Sequence, residues 1–175
     1  MKSALLIAGV ALTMALAASA DPEGYPGAGA YRLVFEGDKC LRLDNRDDPW
    51  YRPCVFDDPL DFDALWRDEQ VGDYVFIRNV RSNQCITQDV PMKMKDCNKD
   101  DGTHLWRYLH KDDYPADEVK VISKASDDTD DGSFECFVSD RNFGYENHAV
   151  VRTCNGGERS QFFKKAPAPA TLPRY

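Results

Sequence analysis

The six cysteines constrain this chain more than any other feature, because their surroundings repeat. They form three near pairs, Cys40 and Cys54, Cys85 and Cys97, Cys136 and Cys154, separated by 13, 11 and 17 residues. An apolar residue follows each first cysteine (Leu41, Ile86, Phe137), and an aspartate lies four residues after it (Asp44, Asp89, Asp140). A basic residue lies two before each second cysteine (Arg52, Lys95, Arg152). Each pair is then followed by a cluster with aromatic residues: Leu65-Trp66-Arg67, Leu105-Trp106-Arg107 and Phe162-Phe163-Lys164. A self-similar unit of about 45 residues is one supersecondary element that buries its apolar face against its neighbours.

The units read as strands. Tyr31–Phe35, Tyr74–Ile77 and Val119–Ile122 are β-branched and aromatic, and each opens a repeat. Glu36-Gly37-Asp38, Asp57-Asp58-Pro59, Asp100-Asp101-Gly102 and Asn155-Gly156-Gly157 supply the breaks. After residue 20 no segment holds a helical apolar period over ten residues. The expectation is an all-β chain with about four short strands per repeat.

The first twenty residues stand apart. Lys2, the apolar run Leu5–Leu16 and the small residues Ala18-Ser19-Ala20 form the pattern of a secretory signal peptide. No later stretch approaches the roughly 18 consecutive apolar residues of a membrane span. An exported, extracellular protein is expected, with oligomeric state open. Loss of Lys2 makes the formal net charge of −8 one unit more negative. Without a basic patch, such a surface repels nucleic acid, so no nucleic-acid partner is expected. An even cysteine number in an exported chain favours three disulfides. Zinc wants closer Cys and His spacing than this chain has, and no metal or cofactor is expected.

The repeated Cys-apolar … Cys … aromatic pattern resembles the ricin B-type lectin domain, a β-trefoil whose repeats close on a Gln-x-Trp triplet. Here the closing triplets are Ala64-Leu65-Trp66, His104-Leu105-Trp106 and Gln161-Phe162-Phe163, so tryptophan is kept twice and glutamine once. The resemblance implies a trefoil over residues 29–165, with repeats at about 29–70, 71–116 and 117–165. Residues 21–28 and the Pro/Ala-rich 166–175 then read as flexible flanks. Repeat symmetry admits pairing within each repeat or a cyclic pairing between repeats. The short loops favour Cys40–Cys54, Cys85–Cys97 and Cys136–Cys154. The large closing residues are expected in the core.

The resemblance also implies where a sugar would sit. The family holds it with an aspartate two residues after the first cysteine, an aromatic platform two before the second, and an amide near the closing triplet. A carboxylate bonds neighbouring hydroxyls, and an aromatic face covers the sugar's C–H side. Those positions hold Arg42, Thr87 and Val138, then Arg52, Lys95 and Arg152, then Asp63, Thr103 and Ser160. No repeat keeps the set, so the usual galactose-type site is expected to be lost from all three. The recurring aspartates and basic residues are read as exposed ion pairs (Asp44/Arg52, Asp89/Lys95, Asp140/Arg152). Alternatively they form a relocated site that favours an acidic sugar. In the first repeat, Trp50 or Tyr51 would be its stacking face.

The third repeat, with the longest loop, is the favoured location for a surviving site, formed by Asp140, Asn142, Phe143, Tyr145, His148 and Gln161. The acidic run Ser126–Gly132 lacks the ligand spacing of an EF-hand and reads as a solvated turn. No nucleophile elbow or catalytic histidine arrangement is present, so no enzymatic activity is expected. The leading function is carbohydrate or glycoprotein binding. The alternative is a secreted protein-binding trefoil, an effector or protease-inhibitor type, that has lost sugar binding.

Overall fold

The opening run of each repeat forms a strand whose inward residues are buried, and the four strands of a repeat follow in a fixed order. The computed structural model describes residues 29–35, 37–44, 48–58, 60–110, 117–127, 133–139, 148–155 and 158–168. First come β1 (Tyr31–Phe35), β2 (Lys39–Leu43), β3 (Pro49–Pro53), a 3-10 turn at Phe62–Ala64, and β4 (Trp66–Val71). The order recurs as β5 (Tyr74–Asn79), β6 (Cys85–Thr87), β7 (Lys93–Lys95), the turn Gly102–His104, and β8 (Trp106–Leu109). It recurs again as β9 (Lys120–Ser123), β10 (Glu135–Ser139), β11 (Ala149–Thr153), the turn Arg159–Gln161, and β12 (Phe163–Pro167).

Six strands close a barrel. Antiparallel ladders join β4 to β5, β8 to β9 and β12 to β1, tying each repeat to the next. Between β4 and β5, Gly72 takes φ +61°, a left-handed conformation that glycine adopts without a Cβ penalty. Inside each repeat the closing aromatic bridges back to the opening strand, as Tyr31↔Trp66, Val75↔Trp106 and Val119↔Phe163. The hairpins β2–β3, β6–β7 and β10–β11 stand outside this ring and complete a β-trefoil. The all-β, three-repeat expectation holds.

The register explains the recurring marks. Cys40 faces Arg52, Cys85 faces Lys95 and Cys136 faces Arg152 across the hairpins. Side chains alternate along a strand, so the next pairs, Leu41↔Tyr51, Ile86↔Met94 and Phe137↔Val151, turn to the opposite, core face. The disulfides are Cys40–Cys54, Cys85–Cys97 and Cys136–Cys154, with Cα separations of 5.0, 5.1 and 5.1 Å.

Trp66, Trp106 and Phe163 have no solvent exposure, as the closing triplet requires of a core residue. The Trp66 Nε1–H donates to the Leu41 carbonyl at 2.9 Å, and the Trp106 Nε1–H donates to the Ile86 carbonyl at 3.0 Å. Each acceptor is the residue after a first cysteine, so the indole braces its own repeat's hairpin against the barrel. Phe163 has no such donor. There the Phe137 and Phe163 rings meet edge to face at 5.9 Å instead.

Two residues beyond each closing aromatic lie Asp68, Tyr108 and Lys165, which meet one another. The Asp68 carboxylate accepts from the Tyr31 hydroxyl, from the Tyr108 hydroxyl at 2.8 Å, and from Lys165 Nζ at 2.5 Å. Burial raises both tyrosine hydroxyls well above their ordinary value and lowers the Lys165 amine against the pull of Asp68. Three equivalent positions thus carry three different chemistries, which an identical residue in each could not supply.

The acidic run differs in part from its sequence reading. Lys124–Asp127 form one helical turn, with Ser123 Oγ accepting from the Ala125 N–H at 3.2 Å. Asp127 is not solvated. Arg107 donates to it at 2.6 Å and the Tyr74 hydroxyl at 3.0 Å. Residues 128–132 lie outside the described residues. No helix among the described residues is long and apolar enough to cross a membrane.

Candidate functional site

On the β2–β3 hairpin, strand alternation sends Leu41, Leu43 and Tyr51 into the core and leaves Arg42, Trp50 and Arg52 outside. Arg42 stands directly opposite Trp50. Above this outer face lies a hollow of about 660 Å³, also lined by Asp44, Asp48, Asp63 and His148.

Ion pairs from several elements shape its walls. Arg42 Nη2 lies 2.9 Å from Asp61 Oδ1 and 3.7 Å from Asp63 Oδ2. Arg81, which follows β5, holds the other oxygen of Asp63 at 2.8 Å. Lys93 of β7 holds Asp48 at 2.7 Å, and Asp44 Oδ1 accepts from the Asp48 N–H at 2.9 Å. Burial pushes the Asp61 carboxyl up, and Arg42 opposes that shift.

His148 arrives from the third repeat, just before β11, and forms a bridge with Trp50. The two rings stand 3.9 Å apart at centroid with a 45° tilt. Arg52 Cζ lies 4.8 Å from the Trp50 ring centroid, a cation–π distance. Burial lowers the His148 pKa, Asp48 opposes this, and Lys93 and Arg52 reinforce it. Side chains of the first and third repeats therefore line one hollow, and Arg81 and Lys93 of the second repeat hold two of its carboxylates.

The residues singled out in the third repeat separate. His148 lines the hollow of the first repeat. Gln161 is wholly buried, its Oε1 accepting from Lys120 Nζ at 3.0 Å and the Asn155 N–H at 2.8 Å. Its Nε2 donates to the Thr153 carbonyl at 2.9 Å, so both ends of the amide serve the interior. Asp140, Asn142, Phe143 and Tyr145 lie outside the described residues. Of the expected ion pairs, Asp89–Lys95 forms at 2.9 Å. The Asp44/Arg52 pair does not form. Arg52 rests on Trp50, whose side chain emerges on the same face two residues earlier, while Asp44 lies past the end of β2. The Asp140/Arg152 pair includes a residue outside the described ones.

All three positions that the ricin B-type resemblance marks in the first repeat, Arg42, Arg52 and Asp63, line the hollow. The sequence reading named Trp50 only as one of two stacking candidates and missed Asp48, Arg81 and Lys93. The cysteine register held the signal for Trp50, because Cys40 facing Arg52 obliges Arg42 to face Trp50. Among the described residues, no group of three His, Cys, Asp or Glu side chains is placed to hold a metal ion.

The fold is a β-trefoil, and solved structures share it. The chain superposes with a TM-score of 0.64 on a GlcNAcα1-4Gal-releasing endo-β-galactosidase from Clostridium perfringens. That match has 11% identity and covers 80% of this chain but only 32% of the enzyme. Cytolethal distending toxin from Actinobacillus actinomycetemcomitans matches at TM-score 0.62 and 18% identity, covering 83% of this chain and 97% of the toxin chain. The Polyporus squamosus lectin, solved with the epitope Neu5Acα2-6Galβ1-4GlcNAc, matches at TM-score 0.55 and 17% identity, covering 79% and 49%. The sequence matches no family model and no curated protein sequence. An enzyme, a toxin and a lectin on one scaffold leave function to the site.

Proposed function

We propose that this protein is a secreted, non-enzymatic lectin-like trefoil that binds carbohydrate in the hollow of its first repeat. One observation carries the reading: Arg42, Arg52 and Asp63, where a sugar-binding relative places its contacts, converge with Trp50 and His148 on one concavity. A hollow of this size, with a few convergent polar groups and an aromatic wall, suits one or two saccharide rings. The Polyporus squamosus lectin, solved with a glycan, supports the reading through the shared fold. The leader-like residues 1–20 and the three disulfides support export. A glycan array on the disulfide-intact protein tests it. Binding that is lost in Trp50→Ala sustains the proposal, and no binding to any glycan sinks it.

A protein-binding reading rests on a different surface. Val55, Phe56 and Leu60 are 40%, 48% and 57% exposed on the segment after Cys54. Apolar residues clustered on one exposed loop fit a protein partner better than a sugar. Retention of an exported protein by the wild type but not by Phe56→Ser, with no retention on sugar columns, would favour this alternative.

A further inference from the structure

We infer that the ligand of the first-repeat hollow is an acidic saccharide, whose carboxylate is taken by Arg52. The inference rests on the carbohydrate reading above and specifies the class of sugar.

Among the described residues, the charges around the hollow are committed to partners, with Arg52 the exception. Arg42 is held by Asp61 and Asp63, Asp63 also by Arg81, and Asp48 by Lys93. Asp44 accepts from the Asp48 N–H. Arg52 has no carboxylate partner among the described residues and rests only on the Trp50 ring. The Trp50 Nε1–H is likewise buried without an acceptor among them. Among the described residues, what the hollow has left to offer is therefore the Arg52 guanidinium donors and their positive charge. A ligand that meets them presents acceptors and a negative charge.

The aromatic wall argues the same way. A neutral galactoside gains its hold by laying a C–H face on an open ring. The Trp50 ring is covered by His148 at 3.9 Å and by Arg52 at 4.8 Å. Little indole face remains for such stacking. The planar guanidinium, pre-oriented on the indole, presents paired donors that match the two oxygens of a carboxylate. The net negative charge of the protein opposes an anion during approach. Around the hollow, however, the described side chains Arg42, Arg52, Arg81 and Lys93 balance Asp44, Asp48, Asp61 and Asp63. More distant surface charges are screened beyond about 8 Å at physiological salt.

The test is calorimetric titration of the intact protein with matched pairs: sialyllactose against lactose, and trigalacturonate against galactotriose. The acidic member of at least one pair should bind about tenfold or more tightly than its neutral partner, as a charge-assisted contact predicts. Which pair responds distinguishes a sialic from a uronic carboxylate. Arg52→Gln should reduce the acidic ligand to the level of the neutral one, and Arg52→Lys should retain part of the preference. Arg52 is exposed, so both variants should melt like the wild type. Equal binding of both members of each pair would overturn the acidic preference while leaving the carbohydrate reading intact. Binding of neither member, with a blank glycan array, would overturn both. Acidic binding unchanged in Arg52→Gln would remove Arg52 from the role.

Discussion

Replacing Trp66 by phenylalanine tests how the hairpins are fixed to the barrel. Trp66 is wholly buried, and its indole N–H reaches the Leu41 carbonyl at 2.9 Å, spanning from the closing aromatic to the residue after Cys40. Phenylalanine keeps the six-membered ring and removes the donor. Leaving a buried carbonyl without this bond costs about 1–3 kcal/mol. The space left by the missing ring atoms adds about 1 kcal/mol. The expected loss is therefore about 2–4 kcal/mol, a large share of the 5–15 kcal/mol typical of a folded domain. Equilibrium urea unfolding, followed by circular dichroism with disulfides intact, should show a midpoint lower by roughly 1–2 M. The third repeat supplies the control, since Phe163 has no donor to lose. Phe163→Leu, a swap between apolar side chains, should cost less than about 1.5–2 kcal/mol. If Trp66→Phe costs no more than Phe163→Leu, the indole N–H is not the brace and the closing aromatic acts as filler alone.

Other outcomes follow from the same geometry. Removing the Cys85–Cys97 bridge with paired serines should cost about 3 kcal/mol in the chain-entropy account, read by the same urea assay. His148 binds protons less readily folded than free, so stability falls as pH drops through 6.5, and the loss is complete below the folded pKa. Its midpoint, read by imidazole NMR and by quenching of Trp50 fluorescence, should lie below 6.5. It should rise in Arg52→Gln and fall further in Asp48→Asn. A midpoint above 6.5 would contradict its burial against Trp50. Asp68→Asn withdraws the carboxylate that Tyr31, Tyr108 and Lys165 share, so thermal melts should show a loss of about 1–3 kcal/mol.

The architecture was legible because its marks are local and repeated. Cysteine spacing, the apolar residue beside each first cysteine and the closing aromatics all lie on the chain, and threefold symmetry left few ways to join them. Period-2 alternation then fixed that Leu41, Ile86 and Phe137 face inward. The basic residue before each second cysteine was equally visible, though its meaning as the cross-strand neighbour of the first cysteine needed the register.

The site was legible only in outline. The ricin B-type resemblance marks Arg42, Arg52 and Asp63 as the places where a relative would hold a sugar, and the residues there are not the family's. It cannot show that His148, 98 positions after Trp50, stacks on it, or that Lys93 and Arg81 neutralise Asp48 and Asp63. Those meetings depend on where one repeat's loops fall against another's, which no local spacing encodes. Nor can it show which of two similar polar residues is free: Gln161 is locked inside by Lys120, Asn155 and Thr153, and Arg52 stands open on an indole. Repetition in the chain, with the family resemblance it carries, pointed to the trefoil and favoured the three disulfides that form. Packing between repeats decided which side chains line the first-repeat hollow and, among the described residues, left Arg52 there without a carboxylate partner.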